Sequence, residues 1–204
     1  MFLDAETAAP FLAQVRENPI NAALLDRLPA LGLADCWLVA GCLFQTMWNT
    51  QTGRPATEQI RDYDVFYCDP AEISYEAEDI QIRRLRAAFA NLSASIELKN
   101  QARVHLWYQQ RFGHAYPPLH ASTDGIDRFL ITCTCVGIQC SAARPQKVYA
   151  SYGLDDLYAG ILRPNPLNLH ESLFAEKAAS YKARWPWLCA GSAPAPRANR
   201  LQAP

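Results

Sequence analysis

Asp62 and Asp64 interrupt an otherwise apolar run, Arg61-Asp62-Tyr63-Asp64-Val65-Phe66-Tyr67, and their spacing constrains the chain more than any other feature. Strand side chains alternate between faces at a rise of ~3.3 Å per residue, so a strand here puts both carboxylates on one face and Tyr63, Val65 and Tyr67 on the other. Adjacent carboxylates repel. A packed sheet accommodates them only where solvent, a basic neighbour or a cation compensates. Two readings remain open at this point: a wet strand edge with Arg61 as partner, or hard oxygen donors that share divalent cations.

A second apolar run precedes it. Cys36-Trp37-Leu38-Val39-Ala40 reads as a short buried strand, Gly41 as a turn needing backbone freedom, and Cys42 to Asn49 as the start of a helix. Thr50 to Gln59 is polar, contains Gly53 and Pro55, and forms the loop that delivers the chain to the aspartate strand. Upstream, Glu6 to Arg16 and Asn21 to Leu28 are helical stretches punctuated by Pro10, Pro19 and Pro29. Downstream, Glu76 to Leu92 has the spacing of an amphipathic covering helix, with Arg83, Arg84 and Arg86 on its solvated side.

The run from Ser95 to Tyr108 is strand-like, with Glu97 interrupting its apolar pattern; if the strand continues, Arg103 and His105 share the parity of Glu97. For His105 a satisfied backbone contact is the expected role. A Pro-rich loop at Tyr116-Pro117-Pro118 leads to a short helix that Ser122 or Thr123 can cap, then to a strand over Ile131 to Ile138 that Lys147 to Ser151 can pair with. Gly153 to Tyr158 opens a helix, Arg163-Pro164-Asn165-Pro166 is a turn, and Ser172 to Trp185 is a closing helix.

The chain has 204 residues, half of them apolar, which suits one domain with a real core over residues 1–188, while 189–204, rich in Ala, Pro and Arg, reads as a disordered tail. With 19 basic and 20 acidic side chains, the net charge of -1 supplies no general pull toward bulk nucleic acid or anionic membrane. No apolar stretch approaches the roughly 20 residues of a membrane span, and Met1-Phe2-Leu3-Asp4 lacks the features of a secretory signal, so a soluble cytoplasmic protein is expected. Seven cysteines, mostly within apolar runs, read as reduced buried thiols. Cys133, Cys135 and Cys140 offer an alternative thiol-based metal module, but Cys133 and Cys135 sit in a β-branched pattern without the paired turns of a zinc knuckle.

The order strand, Gly41, helix, Asp62-x-Asp64 strand, Glu97 strand resembles the nucleotidyltransferases of the DNA polymerase beta superfamily. More narrowly, Trp37 to Gln45, Arg61 to Tyr67 and Asn100 to Trp107 are similar to a bacterial nucleotidyltransferase-like branch, over about residues 20–188. The resemblance implies an α/β (α+β) fold whose mixed, mostly antiparallel sheet is covered by helices. It implies transfer of a nucleoside monophosphate from a nucleoside triphosphate such as ATP to a hydroxyl acceptor.

By the same resemblance, Asp62, Asp64 and Glu97 are the metal-binding and catalytic carboxylates for Mg²⁺ or Mn²⁺, with Glu97 also placed to take the acceptor's proton. Gly41 and position 42 open the helix that holds the phosphates, and Arg103 is a candidate phosphate partner. Cys42 departs from the family's usual glycine or serine and lacks the serine's hydroxyl donor. The expected acceptor is a small molecule or a protein side chain rather than bulk polynucleotide, with tRNA ends as a further possibility and no membrane partner. The alternative from another class is an inactive nucleotide-binding or protein-interaction module on the same fold.

Overall fold

The computed structural model of the chain describes residues 1–113, 115–142 and 146–194. Asp4 accepts a hydrogen bond from the Thr7 N–H and starts α1, Ala5–Val15; Asn18 does the same for the N–H groups of Ile20 and Asn21 and starts α2, Pro19–Arg27. Each is an acceptor placed where the first turn of a helix has donors to spare. Then follow β1, Trp37–Val39; α3, Gly41–Gln51; β2, Tyr63–Tyr67; α4, Tyr75–Ala88; and β3, Ile96–Asn100. The second half holds α5, Val104–Phe112; α6, Ser122–Ile126; β4, Val136–Gln139; β5, Val148–Ala150; α7, Asp155–Ala159; β6, Ile161–Leu162; α8, Glu171–Arg184; and β7, Cys189–Ala190.

Five strands form one sheet in the order β3-β2-β1-β4-β5, with β2 and β3 parallel and the other neighbours antiparallel. Alternation divides its two faces. Leu38, Val65, Leu98, Ile138 and Val148 join the main core, with Phe11, Leu24, Leu43, Leu85 and Tyr181 from the helices packed there. Trp37, Val39 and Phe66 point to the other face, where a smaller cluster with Ile126 and Cys135 covers them. Asp64 alternates with Val65 and therefore shares this thinly covered face with Phe66. Among the described residues no helix is long and apolar enough to cross a membrane.

Three segments differ from their sequence pattern. The strand expected to run from Ser95 to Tyr108 stops at Asn100, because the Asn100 side chain accepts from the Ala102 and Asp69 N–H groups and turns the chain through a tight helical turn, Gln101–Arg103, into α5. Arg103 and His105 thereby lose the strand parity that related them to Glu97. Within Ile131 to Ile138, Thr132–Thr134 forms a tight turn closed by Thr134 Oγ1 donating to the Ile131 carbonyl. Cys133 and Cys135 consequently enter different core clusters instead of sharing a strand face.

The boundary drawn at 189 falls inside paired structure: Cys189 and Ala190 pair in parallel with Ile161 and Leu162. Residues 195–204, the rest of the expected tail, lie outside the described residues. All seven cysteines are free, and six are buried while Cys189 is exposed. Trp37, Trp48 and Trp185 are fully buried in the core.

Candidate active site

The elbow between β1 and α3 has an unusual backbone. Ala40 takes φ 62° and ψ −138°, a region that L residues occupy only when the surroundings enforce it, at a strain of about 1–3 kcal/mol. The turn swings the chain directly from strand into helix, and no side chain caps the result. Apart from the Leu43 N–H, which donates to the Ala40 carbonyl at 3.1 Å, the first-turn N–H groups of α3 offer donors, and the positive end of its dipole, at the strand's carboxyl end. A Cβ added to Gly41 would stand 2.7 Å from Gln45 Nε2 and 3.9 Å from Asp62 Oδ1. The helix start, Gln45 and Asp62 converge on one spot, and glycine keeps it open.

Register brings the carboxylates there. Val39 lies opposite Asp64 across the β1–β2 pair, so Asp62 falls beyond the end of β1, level with Gly41. Asp62 and Asp64 line a cleft of about 350 Å³ together with Gly41, Gln45 and, from α8, Lys177 and Tyr181. Burial is the main reason that the Asp64 carboxyl rises from its ordinary 3.8 to about 6; Lys99 and Lys177 oppose the rise, whereas Asp62 and Glu97 add to it. The acidic pair is therefore only partly compensated by the chain's own cations.

The other sequence candidates do not line this cleft. Glu97 is the register partner of Asp64 on β3 and on the same face, but its carboxylate accepts from Lys99 Nζ at 2.9 Å and is half exposed. Cys42 turns inward: its Sγ donates to the Val39 carbonyl, it is fully buried, and burial pushes the thiol well above its ordinary range. Only its backbone belongs to the helix start. Arg103 is bound to Glu78 and to the Ile73 carbonyl, at α4, and does not line the cleft. His105 does not line the cleft, and its buried Nδ1 has no hydrogen-bond partner.

Among the described residues no group of three or more His, Cys, Asp or Glu side chains is placed to hold a metal. Two carboxylates remain at the cleft. That set matches Mg²⁺, which keeps most of its coordination for water and substrate phosphates and takes only one or two carboxylates from a protein. A larger hollow of about 520 Å³ lies between α4 and the edge strand β3, lined by Leu85, Phe89 and Leu98 together with Arg86, Glu97 and Lys99, and neither Asp62 nor Asp64 lines it.

Lys177, Tyr181 and Gln45 are site residues that no motif marks, because α8 and the second turn of α3 reach the carboxylates only through the fold. The Lys177 ammonium lies 5.3 Å from the Tyr181 ring centroid and makes no ion pair among the described residues. Asn18 is a further unmarked residue, although Asn followed by proline is a helix-start signal that points to it. Besides capping α2, it donates to Thr46 Oγ1 on α3 at 3.1 Å and to the Tyr63 hydroxyl on β2 at 3.2 Å, tying together the two elements that carry the cleft. Asn18→Ala is expected to lower stability by roughly 2–3 kcal/mol, from one lost cap and two lost buried hydrogen bonds. Urea unfolding checks this, and a change below about 0.5 kcal/mol would mean that the network does not hold the elbow.

A nucleotidyltransferase family model matches residues 26–190. A solved structure described as revealing a CCA-adding enzyme head domain is similar, at 28% identity and TM-score 0.72, over 89% of this chain and 94% of that one. A CCA-adding enzyme in complex with CTP aligns at 12% identity and TM-score 0.53, over 93% of this chain and 44% of that one. A tRNA-processing enzyme in an apo form aligns at 11% identity and TM-score 0.51, over 94% and 45%. The last two share the fold, and this chain spans less than half their length. No curated protein matches the sequence.

Proposed function

The chain belongs to this nucleotidyltransferase family, and from that premise we propose that it moves a nucleoside monophosphate from a nucleoside triphosphate to a hydroxyl acceptor, in a Mg²⁺-dependent reaction at Asp62 and Asp64. The observation that carries the reading is the meeting of these two carboxylates with the uncapped start of α3 in one cleft. Opposite charges are served there side by side: N–H donors suit phosphate oxygens, and carboxylates suit the cations that accompany them.

The residues divide the work as follows. The first-turn N–H groups of α3 and Lys177 bind the anionic end of the triphosphate and stabilise charge as pyrophosphate leaves. Asp62 and Asp64 would hold Mg²⁺, which supplies charge neutralisation at the α-phosphate and acidifies the acceptor hydroxyl. Gly41 lets the Gln45 amide and an incoming phosphate approach the backbone, where a Cβ would clash with Gln45. Tyr181 and Phe44 form an apolar wall that strengthens these interactions by limiting water. The acceptor is a small molecule, a protein hydroxyl or an RNA end.

A second reading, nucleotide binding without turnover, is favoured by one observation: Lys99 occupies the carboxylate of Glu97, the residue expected to serve as third ligand and base. One experiment tests both. Thermal melting with ATP, GTP, CTP or UTP, with and without Mg²⁺, reports binding through a stabilisation of RT ln(1 + [L]/Kd), and pyrophosphate release reports turnover. A Mg²⁺-dependent rise with at least one nucleotide, lost in Asp62→Asn/Asp64→Asn, is expected. No rise with any nucleotide would overturn the assignment; a rise without pyrophosphate release from the nucleotide in the presence of any acceptor tried would leave the binding module as the better reading.

A further inference from the structure

Gln45 is 7% exposed, lines the cleft, and its Oε1 has no hydrogen-bond partner. Buried amides are nearly always satisfied, because an unpaired one carries the full cost of its lost hydration. The other buried polar side chains of α3 obey the rule: Thr46 donates to the Cys42 carbonyl, and Asn49 donates to the Glu58 carbonyl and accepts from Trp185 Nε1. Gln45 is the exception on its helix. It is also the one placed at the cleft, its Nε2 crowding the position above Gly41 where Asp62 Oδ1 also approaches.

The chemistry of the missing partner can be read from what the amide offers. A carboxamide presents an acceptor and donors together, whereas phosphate oxygens only accept and would leave Oε1 unpaired. A hydroxyl both donates and accepts. In an in-line transfer the acceptor hydroxyl stands on the far side of the α-phosphate from the departing pyrophosphate. Gln45 is one helical turn from the start of α3, the side that holds the phosphates, so the hydroxyl within its reach belongs to the nucleotide's sugar and not to the acceptor.

Resting on the nucleotide reading above, we propose that Gln45 is a specificity-determining residue that binds a ribose hydroxyl and makes the cleft select ribonucleotides over deoxynucleotides. Apolar Gln45→Leu keeps similar bulk and removes both hydrogen-bonding functions. Affinities are compared, by thermal-shift titration in Mg²⁺, for the best nucleoside triphosphate and its 2′-deoxy and 3′-deoxy forms. The wild type is expected to favour the ribonucleotide over one deoxy form by roughly tenfold or more. In Gln45→Leu the ribonucleotide falls to the level of that deoxy form, which itself changes by less than about twofold.

Loss of affinity alone would also follow from a merely structural role, but collapse of the ratio would not. Gln45→Met makes the same comparison if the leucine variant does not fold. A wild type that binds all three sugars equally, or a ratio that survives the substitution, overturns the assignment while leaving nucleotide binding intact. Failure of the wild type to bind any nucleotide overturns the nucleotide reading and this assignment with it.

Discussion

Asp64→Asn is expected to lose Mg²⁺-dependent nucleotidyl transfer by roughly 10²–10³-fold or more and yet, without metal at pH 7, to melt at a higher temperature than the wild type. The loss follows from removing a charged oxygen donor from a site with only two carboxylates at the cleft. The gain follows from Asp64 itself. Its carboxyl is raised, mainly by burial, from 3.8 to about 6, so between about pH 4 and 6 the folded chain keeps a proton that the unfolded chain releases, and at pH 7 the folded chain bears the cost of ionising a buried group. Wild-type stability from this group is complete below about pH 4 and declines as pH rises through about 6.

At pH 7 the ionised form therefore costs on the order of 3 kcal/mol, which asparagine does not incur. For a chain of this size that corresponds to a rise of roughly 6–12 °C in metal-free melting temperature. The difference between variant and wild type should vanish at pH 4, and saturating Mg²⁺ should narrow it by stabilising only the wild type. Calorimetric melts at the two pH values decide the matter. A variant that is less stable at pH 7 would show that Asp64 is compensated within the fold and is not held in readiness for a cation.

Lys177→Ala is expected to weaken nucleoside triphosphate binding by roughly 10–100-fold, the worth of one charge-assisted hydrogen bond to phosphate. The nucleoside or its monophosphate should bind almost as before, because the effect belongs to the far end of the phosphate chain. Folding stability should change little, since the ammonium makes no ion pair among the described residues and rests only against the Tyr181 ring. Titration of mono-, di- and triphosphates against both proteins checks this. Equal weakening for all three would move Lys177 out of the phosphate site.

The sequence made the β1–Gly41–α3 elbow and the aspartate strand legible because each depends on local rules: an apolar run that ends in glycine, and alternation with period two. It misled after Asn100. Val104-His105-Leu106-Trp107 has the composition of a strand, but Asn100 satisfies two backbone donors with its own side chain, and that local bond outweighs propensity. The same competition bent the threonine-rich segment at Thr132–Thr134, where the Thr134 hydroxyl bonds back to Ile131. Glu97 sits on the strand next to the aspartates, at the register position of Asp64, and pairs with Lys99, the neighbour that alternation puts on its own strand face. Lys177, Tyr181 and Gln45 could not be read at all as site residues. Nothing in a linear pattern says that the inner side of a late helix will close a cleft opened by the first two strands.

That late helix has a consequence for how the protein matures. One wall of the cleft is made by α3 and β2, and the opposite wall, with its ammonium group, comes from α8. On a ribosome the acidic wall emerges long before its counterpart, and until α8 docks, two neighbouring negative charges are moderated by Lys99 of β3 but not yet by Lys177. Affinity for phosphates therefore arrives as one of the last events of folding. A nucleotide bound across the two walls would act as a clasp, slowing the amide exchange of α8 far more than that of the sheet.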